Sequence, residues 1–313
     1  MHLRPDQARQ LEVAVDNLLA RERIKTPFGL KGDSAPDYYV NGNPGPNDAV
    51  TRQMERAVSN FAVVDPLTGQ STRLTEALAD RPTLRALHMV TADSLRTPTF
   101  TEFNNPDFEG VTAPLDCVPS TDLTTTVKQC QAVETWHHGD IQPQITTTWL
   151  GLVGPGVRRL GVNNQIWSDH TDTRPTTLAL VGLRDDYRHD GRVLLDVLDP
   201  EAVVVNGHRD ALLQLGQVYK QLDATVGSFG TSVVTADTRA VATGNPGNDR
   251  TYLTFEDQLN NLTNDRNAVA LQISQFLEAA TFNRTRVDDA TVSSLIQQAQ
   301  NIINRAQQLA SGS

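Results

Sequence analysis

The sequence predicts an α/β fold on three observations. A β-rich run over residues 146–153 is closed by the turn Gly154-Pro155-Gly156; an apolar run over residues 84–90 is bounded by Pro82 and by Thr91-Ala92-Asp93; and two long patterns of helical period fill the end of the chain. Short apolar runs between turn residues read as strands, and apolar positions three and four apart read as helices. With 313 residues the chain is long enough for one large or two smaller domains, each with a sound core. The last strand-like run ends before residue 205 and helical patterns follow. An α/β body over residues 1–205 and a helical region over 206–313 are therefore expected.

Residues 4–23 carry Leu11, Val15, Leu18 and Leu19 at helical spacing behind Pro5 and Asp6, which predicts an amphipathic helix. Pro27, Gly29, Gly32 and Pro36 break it, and Tyr38-Tyr39-Val40 reads as a short strand before the N-G-N-P-G-P turn. Asn47-Asp48 is expected to cap a helix over 49–61, D-P-L-T-G to turn, and residues 74–79 to form a short helix. Residues 84–90 are predicted as a buried strand holding His88 as a hydrogen-bonded core histidine, and 98–103 as a second strand. The irregular stretch 104–135 is long for a connection and reads as a surface excursion or lid, ending at Trp136.

The next stretch, 136–183, concentrates histidines, carboxylates and tight turns: W-H-H-G-D-I-Q-P, the run 146–153, G-P-G-V, then W-S-D-H-T-D-T-R-P-T-T and an apolar helix. Open α/β sheets collect ligands at strand ends, so this is where a site is expected. Residues 192–198 follow as a strand or extended arm, and 211–222 as a helix. Gly227, Gly230, Gly244 and Gly247 mark a linker. Leu259, Leu262, Val269, Ile273, Phe276 and Leu277 then share one helix face, with Thr254 and Asp257 at capping-box spacing. Leu295, Ile296, Ala299, Ile302, Ile303, Ala306 and Leu309 share another behind an Asp288 cap. Together they predict an antiparallel helical hairpin.

A formal charge of −10 and a pI near 5.1 argue against a nucleic-acid binder, which needs clustered Lys and Arg. No apolar run approaches the roughly 18 residues of a membrane span. The N-terminus M-H-L-R-P-D-Q-A-R-Q holds no signal-peptide core. Cys117 and Cys130 lie in one polar loop and suggest a disulfide, which would stabilise by roughly 2 to 3 kcal/mol. Two free thiols, or a zinc pair with His137 or His138, are the alternatives.

Among residues that carry chemistry, His138-Gly139-Asp140 ranks first: an imidazole binds zinc-like ions, and Asp140 is placed to orient it through the second ring nitrogen. H-G-D alone is equally an ordinary loop. Successive side chains of an extended segment point opposite ways, so His138 is chosen over His137, which falls outside the ligand set or behind it. Asp169, His170 and Asp172 form a second polar cluster. The Thr171-Asp172-Thr173-Arg174-Pro175-Thr176 run after them suits a helix start, with His170 bordering a pocket.

His-Gly-Asp, an apolar run ending in G-P-G-V, then Asp-x-x-Pro-Thr and an apolar helix ending in Gly-Leu resembles the C-terminal part of the alkaline phosphatase-like superfamily of phosphatases, sulfatases and phosphodiesterases. Leu87-His88-Met89-Val90-Thr91-Ala92-Asp93, Arg96-Thr97-Pro98-Thr99-Phe100 and Asp185-Asp186-Tyr187 resemble segments of its bacterial, secreted members. The resemblance runs from about Thr26 to the C-terminus. It implies the C-terminal part of a sheet with helices on its faces, plus the appended hairpin. It further implies a divalent metal (zinc first, manganese or calcium next) with His138 as a ligand, Asp140, Trp136, His137, Asp169 and His170 around it, a phosphate or sulfate ester substrate, and an extracellular or cell-envelope location. The nucleophilic Thr or Ser and the acidic metal ligands of that superfamily lie upstream of these motifs and have no counterpart here, so a missing N-terminal half and little activity alone are expected. A non-catalytic binding protein built on a degenerate half-domain is the other reading. A compact hydrolase site made by His138, Asp140, Asp169 and His170 is a third.

Overall fold

The structure, a computed structural model, describes residues 11–31, 35–42, 44–45, 47–65, 68–112, 127–129, 139–184, 186–245, 247 and 249–312. It is mixed α and β with small sheets and a C-terminal helical region. Two compact units emerge, each drawn from two stretches of chain: unit 1 from residues up to Thr148 plus Val233–Leu259, unit 2 from Trp149–Ser232 plus Asn260–Ser313.

Unit 1 opens with β1 (Leu11–Ala14) and α1 (Val15–Arg21) where a single helix over 4–23 was expected. The reason is distant pairing: β1 runs parallel to β8 (Phe108–Val111) and antiparallel to β9 (Val127–Gln129), both inside the stretch read as irregular. A second sheet is antiparallel throughout, in the order β2 (Phe28–Lys31), β3 (Asp37–Val40), β7 (Phe100–Asn104), β6 (Thr75–Ala79). β4 (Ala62–Val64) and β5 (Ser71–Arg73) form a hairpin across the expected turn. α2 (Ala49–Val58) starts as the sequence indicates, with Asp48 accepting from the amides of Val50 and Thr51.

Two short segments exchange identities. Residues 75–79 are strand rather than helix, because β7 supplies a ladder and periodicity cannot type a five-residue run. Residues 84–90, expected as a strand, belong instead to α3 (Arg81–Ala86) and its end: Asp80 caps it through the Thr83 amide, and Pro82 sits in the first turn. His88 is not a core histidine. It is exposed, at φ 61°, and closes α3, with Met89 N bonding Leu84 O and His88 N bonding Arg85 O.

The expected strand at 146–153 is also absent. α4 (Pro143–Thr146) takes its first residue, and residues 147–151 are exposed and irregular. The expected linker around Gly230 is α7 (Ser228–Ala242), whose Phe229, Val233, Val234 and Val241 are buried; a helical apolar pattern prevails there over one interior glycine. α8 (Asp249–Phe282) begins a turn before Thr254, whose hydroxyl bonds back to Arg250 O inside the helix.

Unit 2 contains α5 (Thr173–Leu180), α6 (Arg209–Asp223), the later part of α8, and α9 (Asp289–Ser311). Residues 192–198 are not a strand: a 3-10 turn at Leu195–Val197 buries Val193, Leu194, Leu195 and Leu198 instead. α9 is capped by Asp288 through the Thr291 amide and closed by Gly312 at φ 75°. It packs along α6. Arg305 reaches Asp265 of α8 at 2.7 Å, at matching distances from the connecting turn, as an antiparallel hairpin requires.

Candidate functional site

Trp136, His137 and His138, with Cys117 and Cys130, lie outside the described residues. The stretch that follows is fixed in unit 1. Gly139 adopts φ 89°, and Asp140 is buried with Oδ1 accepting from Ile141 N at 2.7 Å. Gln142 Nε2 donates to Asn104 O, pinning G-D-I-Q-P to the end of β7, and Pro143 begins α4. Among the described residues no three His, Cys, Asp or Glu side chains are grouped to hold a metal ion. Asp140 is the one described member of the expected His-Asp pair. A zinc-type centre takes three or four protein ligands, and His138, the ligand expected beside Asp140, lies outside the described residues.

Asp169 and His170 belong to unit 2, in another polar constellation. Asp169 Oδ1 accepts from Thr171 N at 2.9 Å, and Asp172 Oδ2 accepts from Asp169 N at 3.1 Å: a reciprocal cap on the turn that leads into α5. Lys220 of α6, 2% exposed, reaches Asp169 Oδ2 at 2.8 Å, Asp172 Oδ1 at 3.2 Å and Thr171 Oγ1 at 3.0 Å, over the ring of Trp167. Burial pushes the Asp172 carboxyl above its ordinary value against the pull of Lys220 and the Arg192 amide. At Asp169 burial pushes the same way, but Lys220 and the Thr171 bonds outweigh it and hold that carboxyl below its ordinary value. His170 is exposed beside them. The charges here are engaged with one another, as a scaffold requires.

Three separated segments meet in this scaffold. Arg192 N donates to Asp172 Oδ1 at 2.8 Å, and Leu194 N to Thr176 Oγ1 at 2.9 Å. Gly191 lies so close that a Cβ there would stand 2.1 Å from Thr171 O. The G-P-G-V turn joins through Arg158 N to Val197 O and Asp199 N to Gly156 O, both 2.9 Å. Gly156, at φ 79°, leaves no room for a Cβ against Ala202 and Leu180.

Two buried polar clusters of unit 1 escaped sequence reasoning. In one, Glu102 of β7 accepts from Tyr38 Oη at 2.6 Å and meets Thr75 Oγ1, which also meets Val58 O. Thr75 has one proton for two oxygens, so a proton on Glu102 completes the set. Burial pushes the Glu102 carboxyl up to about 7, against the Thr75 and Tyr38 bonds.

The other centres on Arg52 of α2, whose Nη2 stands 2.7 Å from Glu55, 3.2 Å from Glu256 and 3.7 Å from Asp80. Its guanidinium stacks over Tyr252 at 4.3 Å. Tyr252 Oη is 2.7 Å from both Asp80 Oδ2 and Asp237 Oδ1, and Asp80 N donates to Asp237 Oδ2 at 3.0 Å. The available signals were Arg52 and Glu55 at i,i+3 in α2 and Asp80 before a Pro-containing helix start; Asp237 was hidden by reading its helix as a linker. Compared with protein-family models, with curated proteins and with solved structures, the chain matches none.

Proposed function

We propose that the chain is part of a metal-dependent hydrolase of phosphate or sulfate esters, of the alkaline phosphatase-like kind, and that it turns over no substrate by itself. The observation that carries this reading is the ordered motif set. It gains support from the packing of G-P-G-V and D-H-T-D-T-R-P-T against the same segment, residues 191–199, in one hydrogen-bonded scaffold. In this reading His138 contributes a metal ligand, buried Asp140 orients its ring, and Trp136 walls the cleft. A metal held by His138 would supply charge stabilisation at the ester, and the attacking nucleophile would come from outside this chain.

A second reading, a non-catalytic binding protein, is favoured by Trp149 and Val153, which are 88% and 99% exposed in a run that sequence reads as strand. Elemental analysis of purified chain and of His138→Ala, with turnover of an aryl phosphodiester and an aryl sulfate, separates the readings. Divalent metal bound by the wild type and lost in His138→Ala, with no turnover by either, is the expected result. Equal metal content in both proteins refutes the ligand role. Turnover by the chain alone, abolished in His138→Ala, overturns its inactivity.

A further inference from the structure

The Arg52 cluster binds four sequence-distant pieces of unit 1 into one. Arg52 and Glu55 come from α2, Asp80 from the junction of β6 and α3, Asp237 from α7, and Tyr252 and Glu256 from α8. None of the six is more than 7% exposed. With every carboxyl ionised, four negative charges would share one guanidinium in a dry interior, and an uncompensated buried charge is not tolerated there.

Tyr252 has one phenolic proton but lies at hydrogen-bond distance from oxygens of both Asp80 and Asp237. One of those contacts therefore needs a proton carried by a carboxyl. Glu55 Oε2 and Glu256 Oε1 are buried, touch Arg52 as ion pairs, and accept no aligned hydrogen bond. The neighbouring Arg56–Asp249 pair, 2.7 Å, is complete in itself and adds no net charge.

We infer that this cluster is a proton-held latch: it keeps residues 233–259 docked on α2, β6 and α3 while its carboxyls carry protons, and loosens them as pH rises. The directions of titration agree. Burial, then Asp80 and Asp237 against Arg52, pushes Glu256 up to about 9, and burial drives Glu55 and Asp237 well above the ordinary carboxyl range. The docked state thus holds protons that the opened state, with ordinary carboxyls, releases. Docking is strongest at or below the ordinary range, near 4 to 4.5, and weakens upward until the docked carboxyls titrate, about 9 for Glu256. Each retained proton shifts the equilibrium toward the opened state by about tenfold per pH unit across that window. Apolar contacts of Val234, Val241 and Tyr252 oppose the opening, so the latch grades the docking rather than deciding it alone.

The test is hydrogen exchange on the full chain from pH 6 to pH 9, corrected for intrinsic exchange, with peptides covering 233–259 read against α9 as internal reference. Protection of 233–259 is expected to fall by about tenfold per pH unit for each proton held, with α9 far less affected. Asp237→Asn with Glu256→Gln should flatten the dependence, because neutral amides imitate the protonated carboxyls. Should that variant not fold, infrared spectroscopy of Glu102→Gln, which removes the carboxyl of the other buried cluster of unit 1, detects the held protons: the carbonyl stretch of a protonated carboxyl is expected at pH 7, fading at alkaline pH. Protection independent of pH, or absence of that stretch at pH 7, overturns the latch.

Discussion

Removing the Lys220 ammonium while keeping its stem tests whether the D-H-T-D-T-R-P-T segment is held by charge. Lys220→Met fills nearly the same volume, so the cavity contribution is small. What it leaves is Asp172, completely buried, with two amide donors, Arg192 N at 2.8 Å and Asp169 N at 3.1 Å, and no cation. Breaking a buried pair by removing one partner costs about 3 to 5 kcal/mol. Because Asp172 keeps both amides and Asp169 is 29% exposed, the low end, about 3 kcal/mol at pH 7, is expected. The sign with pH follows from Asp172: without Lys220 its carboxyl is raised further, so a bound proton relieves the variant, and the deficit should shrink toward pH 5. Urea unfolding followed by circular dichroism at both values measures it, and Lys220→Met combined with Asp172→Asn should recover much of the loss. A deficit below about 1 kcal/mol at pH 7, or one independent of pH, would refute the argument.

Two further outcomes follow from the packing. Gly191→Ala forces a Cβ against the Thr171 carbonyl, backbone on backbone, and should cost about 3 kcal/mol or abolish folding; Gly182→Ala, at φ 70° with open space, should cost about 1 kcal/mol. Equal losses in thermal unfolding would contradict the close approach. Glu102→Gln should remove a pH dependence from the stability curve. A carboxyl raised by folding stabilises most below its ordinary value and loses that contribution up to about 7, a span worth about 3 kcal/mol. Parallel curves for variant and wild type between pH 4.5 and 7 would exclude a buried proton on Glu102.

Long amphipathic helices are legible because fifteen or more residues repeat one period: α8 and α9 carry the predicted apolar faces, and Asp288 caps as expected. Short segments are legible only where a cap speaks for them. Asp48 announces α2, and Asp80-Arg81-Pro82 announces α3 just as clearly, although the apolar run after it points to a strand. Residues 75–79 become a strand by pairing with β7, on the far side of α3, which no local pattern reveals. The motif cluster of unit 2 is the expected helix start around Asp169 and Pro175, but its tie to Lys220 depends on α6, and nothing in a lone lysine marks it as buried. The carboxyl cluster of unit 1 is the least legible, since its members come from segments about two hundred residues apart, from Arg52 to Glu256.

Because each unit is completed by a segment that follows an intervening part of the other, the order in which the chain is made matters. A ribosome has emitted Arg52, Glu55 and Asp80 long before Asp237, Tyr252 and Glu256 exist to meet them. Until residue 259 emerges, the nascent N-terminal portion carries an unfilled seam of carboxylates that water must solvate. Maturation of that portion is therefore timed by translation of the C-terminal third, and a chain cut between residues 205 and 233 would leave it permanently unfinished.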